Sequence, residues 1–149
     1  MATLHAKLSA SGSSRWLNCP GSVKAEESFT DKGSAFAFEG TCAHELAELA
    51  LTNKQHCSEW VDKPLIENNQ HTVDQAMADY VQIYVDYVRQ FSGHHLYEVQ
   101  VDFSDWVPEG FGTSDALIVA DNVLHVIDLK YGKGVKVDAA NNTQGMLYA

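Results

Sequence analysis

GFGTSDALIVADNVLHVIDLK, from Gly110 to Lys130, is the stretch whose reading decides the fold. ALIVA and VLHVI are apolar runs with several β-branched residues, and Asp121-Asn122 between them is a pair that tolerates a tight turn. The stretch reads as a hairpin, with strands over about 113–120 and 123–131. In a strand, residues two apart share a face. Asp128 and Lys130 therefore emerge side by side, and Leu129 points the other way, into a core. Closing the hairpin brings Asp115 towards them. Two carboxylates and an ammonium on one face suit a divalent metal ion with a cationic helper. Alone, an Asp-x-Lys tripeptide is more often a solvated strand face, so other residues must join it.

Immediately upstream, HLYEVQVDF has period two. Tyr97, Val99, Val101 and Phe103 face one way, and Leu96, Glu98, Gln100 and Asp102 the other. Glu98 can point into the same pocket as Asp115, as a metal ligand or a supporting group, although a solvated edge-strand charge is the plainer reading. Further back the period changes to that of a helix. Val73, Met77, Tyr80, Val81, Tyr84, Val88 and Phe91 form a core stripe over 72–91, with Thr72 as cap and Gly93 as stop. Ala43, Leu46, Ala47, Ala50 and Leu51 predict another helix from Ala35 to about Asn53. Residues 55–71 read as a loop with one helical turn, and 24–34 as a polar loop. The segment 1–12 is expected to be mobile. Ser11 or Ser13 caps a short helix through Arg15, Trp16 and Leu17, which Pro20-Gly21 ends. A last helical pattern starts near residue 139. The order helix, helix, antiparallel three-stranded meander, helix predicts an α+β fold in one domain over residues 1–149.

The formal charge of −10 counts against a basic nucleic-acid coat or clamp. It leaves room for an enzyme that grips phosphate through a metal ion. From Lys130 onward the balance reverses, with Lys130, Lys133 and Lys136 against Asp138. No apolar run reaches the roughly 20 residues of a membrane span, and no secretory leader is evident, so a cytoplasmic location without membrane contact is expected. Three widely spaced cysteines encode neither a disulfide framework nor a four-cysteine metal site.

The remaining candidates are His44, in EGTCAHELAE, and Gln144 with Tyr148, four apart on one face of the last helix. An imidazole at His44 would favour Mn²⁺ or Fe²⁺ over Mg²⁺. In isolation His44 is more often a core or surface histidine, and Gln144 a surface amide. Lys133, between two glycines, could meet an anion, although a solvated lysine is the default.

Together these residues resemble the PD-(D/E)XK nuclease superfamily, whose core is restriction-endonuclease-like. The likeness is to its RecB-like branch, and within that to a family associated with phages and prophages. GTCAHELAE is similar to the branch's metal-binding histidine helix, GFGTSDALIV to its Gly-x-x-Asp motif, VIDLKYGKG to its Asp-x-Lys strand and QGMLYA to its Gln-x-x-x-Tyr helix. SGSSRWLNCPGS resembles its N-terminal Ser…Cys-Pro segment. The resemblance spans nearly the whole chain. It implies Mg²⁺ or Mn²⁺ held by His44, Asp115, Asp128 and the Leu129 carbonyl. Lys130 and Gln144 would act on the water or phosphate, Glu98 would support them, and Lys133 and Tyr148 would contact substrate phosphate. It further implies DNA as substrate, exonuclease action and a phage recombination protein as partner. Some members of the branch hold an iron–sulfur cluster, but only Cys19 matches that pattern, so no cluster is expected here. A strand usually follows the last helix, so the chain is expected to be incomplete at its C-terminus. Two other functions stay open at this point: a catalytically silent binding module of the same fold, and a phosphoesterase acting on small molecules.

Overall fold

The computed structural model describes residues 6–29, 34–66, 71–132 and 136–149. Helices α1 (Ser13–Asn18), α2 (Gly21–Glu26), α3 (Ala35–Asn53) and α4 (Gln75–Arg89) come first. Strands β1 (His94–Asp102), β2 (Phe111–Ala120) and β3 (Val123–Ile127) follow, then α5 (Thr143–Tyr148). The strands form one antiparallel sheet in the order β1-β2-β3. This is the α+β plan, with a meander between helical segments.

Each long helix has a local start signal. The Ser34 hydroxyl accepts from the Ala37 N–H at the head of α3, and the Asp74 carboxylate accepts from the Met77 N–H at 2.7 Å at the head of α4. Asp74, not Thr72, is thus the cap; Thr72 pairs instead with Pro64 in an isolated bridge. α3 ends at Lys54, which adopts a left-handed conformation. Arg89 then donates to the Ala50 and Gln55 carbonyls, tying the end of α4 to the end of α3.

α4 ends at Arg89, ahead of Gly93. Gly93 serves the sheet: its φ is +132°, and a Cβ there would lie 2.4 Å from the Val119 carbonyl oxygen. The inward face of α4 carries Met77, Val81, Tyr84, Val85 and Val88. Tyr80 departs from the predicted stripe. It is 64 % exposed and lies with Ile83 and Tyr87 on the outer face.

Near the N-terminus the helices differ from expectation. Gly12 occupies the cap position of α1 without a side-chain bond, and Ser13 turns inward. α1 stops at Asn18, and Pro20-Gly21 opens α2, because proline's fixed φ suits a helix start as well as a stop. Residues 24–26, expected in a loop, are therefore helical. Residues 6–12 make ordered turns with Ala10 fully buried; of the segment expected to be mobile, 1–5 lie outside the described residues. Between α3 and α4 the helical turn is a 3₁₀ turn, Cys57–Trp60.

Asp121 and Asn122 both have positive φ, 49° and 62°, as a two-residue turn matched to the twist of a hairpin requires. The register pairs Tyr97 with Ala116 and Ala116 with Ile127. Side-chain alternation in β1 is clear only from Val99 onward; the first half is partly buried on both faces. β3 leaves the ladder after Ile127, earlier than the predicted 131, because the Leu129 N–H is taken by the Asp115 carboxylate.

Among the described residues, two apolar clusters result. The larger joins α3, α4 and the sheet through Leu46, Met77, Val81, Val85, Ile118 and Leu129. The smaller joins the N-terminal turns to α5 through Ala10, Phe103, Val107 and Tyr148, with Val126 against it. Between Val126 and Leu129 the chain passes from one cluster to the other, and the polar site sits at that seam.

Candidate functional site

His44, Glu98 and Asp115 converge from α3, β1 and β2. One ligand atom from each lies within 4.8 Å of the others. His44 Nδ1 is 3.1 Å from Asp115 Oδ1 and 4.0 Å from Glu98 Oε1. The register explains the carboxylates. Tyr97 faces Ala116 and Val99 faces Ser114, so Glu98 falls opposite Asp115. Glu98 itself is left-handed, with φ 47°, and breaks the ladder there. That conformation costs a non-glycine residue on the order of 1 kcal/mol and is concentrated at functional sites.

Asp128 stands beside this group with different partners. Its Oδ2 is 2.7 Å from Lys130 Nζ, and its Oδ1 accepts from Gln144 Nε2 at 2.7 Å. Lys130 Nζ also donates to Gln144 Oε1 at 3.1 Å, which closes a triangle of carboxylate, ammonium and amide. Asp115 links the two halves: its Oδ2 accepts from the Leu129 N–H at 2.5 Å. Leu129 engages Asp115 through its N–H, and its side chain lies in the larger core, as expected. A cavity of about 170 Å³ opens along Asp128, Lys130, Gln144 and Tyr148.

Tyr148 is 5 % exposed. A Cβ at Gly112 would lie 2.6 Å from its hydroxyl oxygen, so the glycine two residues into β2 makes room for the tyrosine ring. Gly112→Ala should therefore displace Tyr148 and cost about 1–3 kcal/mol by overpacking, read as a lower urea midpoint. Burial pushes the Tyr148 phenol up to about 12, so it is a neutral hydrogen-bonding group rather than a base.

The carboxylates carry the electrostatic tension. Burial, then repulsion from Asp115, raises Glu98 from 4.5 to about 7, against the opposing pull of His44. Burial also raises Asp128, with the Lys130 hydrogen bond opposing. Burial lowers His44, but the Asp115 hydrogen bond and the nearby carboxylates outweigh it, and the imidazole ends above its ordinary value. The shifts follow from burying carboxylates beside one another with one imidazole among them. For Glu98 the folded state favours the neutral acid. Its contribution to stability is complete below pH 4.5 and is lost as pH rises through about 7. Glu98→Gln imitates the neutral acid. It should raise the unfolding free energy of the metal-free protein at pH 8, on the order of 1–2 kcal/mol after discounting for partial exposure, and change it little at pH 5. Thermal melts at both pH values check this.

The donor set suits a divalent ion of the Mg²⁺ or Mn²⁺ class. The imidazole and both carboxylates lie close enough to share one ion, and without one His44 pairs with Asp115 at 3.1 Å and with Glu98 at 4.0 Å. One imidazole among carboxylates tilts the choice towards Mn²⁺. Of the sequence candidates, His44, Glu98 and Asp115 form one group, and Asp128, Lys130, Gln144 and Tyr148 the adjoining one. Lys133 lies outside the described residues. Cys42 and Cys57 are fully buried and unpaired in the larger core, and burial pushes the Cys57 thiol up to about 11. Sequence reasoning missed the contact of Ser13 with Thr143, whose hydroxyls lie 2.6 Å apart. No local signal reveals a pair so distant in the chain.

A family model described as a protein of unknown function (DUF2800) matches residues 5–149. The chain belongs to the DUF2800 family. No solved structure matches it. The matched region contains every residue of both groups, from His44 to Tyr148, so the whole site falls inside the DUF2800 domain. No helix among the described residues is long and apolar enough to cross a membrane.

Proposed function

We propose that this DUF2800 domain is a divalent-metal-dependent DNA nuclease, hydrolysing phosphodiester bonds as an exonuclease. The observation that carries the reading is the adjacency of two groups. An imidazole and two carboxylates lie within 4.8 Å of one another, and beside them stands a lysine held by Asp128 and Gln144. His44, Glu98 and Asp115 would hold Mg²⁺ or Mn²⁺, with Asp128 adjacent. The ion would supply Lewis acidity, acidifying a water and neutralising the scissile phosphate. Lys130 stabilises the negative charge that develops on the phosphoryl oxygens or positions the attacking water. Gln144 orients Lys130 and Asp128 together through its two amide ends. Because Asp128 accepts two such bonds, it stays aimed at the cavity rather than at solvent.

The acidic chain would hold DNA through the ion and the local lysines, chiefly at the backbone, so little sequence preference is expected. A cytoplasmic role in phage-type recombination or DNA processing, with a recombination protein as partner, is what the family resemblance implies. The deciding experiment offers linear duplex, circular duplex and p-nitrophenyl phosphate with Mn²⁺, Mg²⁺ or EDTA. Metal-dependent loss of linear DNA with circular DNA spared supports an exonuclease. Cleavage of p-nitrophenyl phosphate alone would replace the nuclease with a small-molecule phosphoesterase. Inertness towards all three would leave a binding module.

A further inference from the structure

α5 carries Gln144 and Tyr148, two members of the site. The opposite end of the chain holds it in place. Ser13, the first residue of α1, is 1 % exposed, and its Oγ lies 2.6 Å from Thr143 Oγ1 across 130 positions of sequence. Ala10 is fully buried in the cluster that contains Tyr148, with Leu8 and Trp16 packed around it. The turn that presents these residues is itself fixed: Trp16 Nε1 donates to the Ser9 carbonyl at 2.9 Å, the Gly12 N–H to Ser9 Oγ at 3.2 Å, and the Ser13 N–H to the Ala10 carbonyl at 3.1 Å.

We propose that the N-terminal segment, residues 6–18, is a clamp that sets α5 against the sheet, and that Ser13 is its positioning residue. Ser13 acts through Thr143 on the neighbouring Gln144, and so on the Asp128–Lys130 pair. Its effect on turnover rests on the nuclease reading above; its effect on α5 does not. The division of labour is testable because α5 supplies none of His44, Glu98 and Asp115. Loosening the clamp should therefore disturb the triangle and leave the metal group intact.

The test compares wild type, Ser13→Ala and Thr143→Val, with Thr143→Ser restoring the hydroxyl. Four quantities are read: the Gln144 side-chain amide resonances, exchange of the Gly145 and Met146 backbone amides, Mn²⁺ affinity and kcat. Amide exchange in α4 serves as a check on global folding. In Ser13→Ala and Thr143→Val, exchange at Gly145 and Met146 should quicken about five- to tenfold, as expected for loss of one partly buried hydrogen bond. The Gln144 resonances should move towards free-amide values and kcat should fall by a similar factor, with Mn²⁺ affinity and α4 exchange unchanged. Thr143→Ser should recover both the resonances and kcat. Unchanged α5 exchange and Gln144 resonances overturn the clamp. Loosened α5 with unchanged kcat overturns its positioning role. A wild type that binds Mn²⁺ but cuts no DNA sinks the nuclease reading, while the Gln144 signal still decides the clamp.

Discussion

Asp115→Asn should abolish Mn²⁺ binding and lower DNA cleavage by about a thousandfold or more, some 4 kcal/mol of transition-state stabilisation. Asp115 joins the two halves of the site. One oxygen lies 3.1 Å from His44 Nδ1 and the other accepts the Leu129 N–H. Asparagine keeps the shape and an acceptor for Leu129, so the buried amide stays satisfied and the fold survives. What is lost is the charge that a divalent ion needs between His44 and Glu98. Alanine would be a poorer test, because it would orphan the Leu129 N–H as well. Calorimetric titration of Mn²⁺ and a cleavage time course on the same sample separate folding, binding and turnover. A folded Asp115→Asn protein that still binds Mn²⁺ as wild type does would place the ion elsewhere.

The second large effect belongs to Lys130. Lys130→Met removes the ammonium while retaining most of the stem, and it should lower kcat by about a hundred- to a thousandfold, the usual loss when one charge-stabilising donor is deleted. Metal affinity should hold, since Lys130 is engaged with Asp128 and Gln144 rather than with His44, Glu98 or Asp115. Equal losses in kcat and kcat/KM would mark an interaction made only in the transition state. Loss of Mn²⁺ binding in Lys130→Met would instead make Lys130 a structural counter-ion of the acids.

The hairpin and the acids it carries were legible because strand chemistry is local. Asp121-Asn122 defines the turn; Asp128, Leu129 and Lys130 lie beyond the end of β3, and their opposed directions are seen in their contacts, Leu129 in the core and Asp128 with Lys130. Glu98 was visible only as a half-polar strand residue. Its place opposite Asp115 depends on register, which period two alone does not settle, and its positive φ has no sequence signature. Tyr80 was misplaced because an apolar residue at helical spacing fits either flank of a stripe, and burial is decided by what packs there. Thr72 and Asp74 both have capping side chains; the pairing of Thr72 with Pro64 leaves Asp74 to start the helix. The role of Gly112 emerges only once Tyr148 is seated against it. The clamp joins residues 130 apart, a distance that no local pattern bridges.

The most direct test is a single time course: end-labelled linear duplex DNA with purified wild type and Asp115→Asn, each in Mn²⁺ and in EDTA. The account predicts cleavage only by wild type in Mn²⁺, with both EDTA reactions and the variant at background. Equal cleavage by wild type and Asp115→Asn, or cleavage that persists in EDTA, would contradict it.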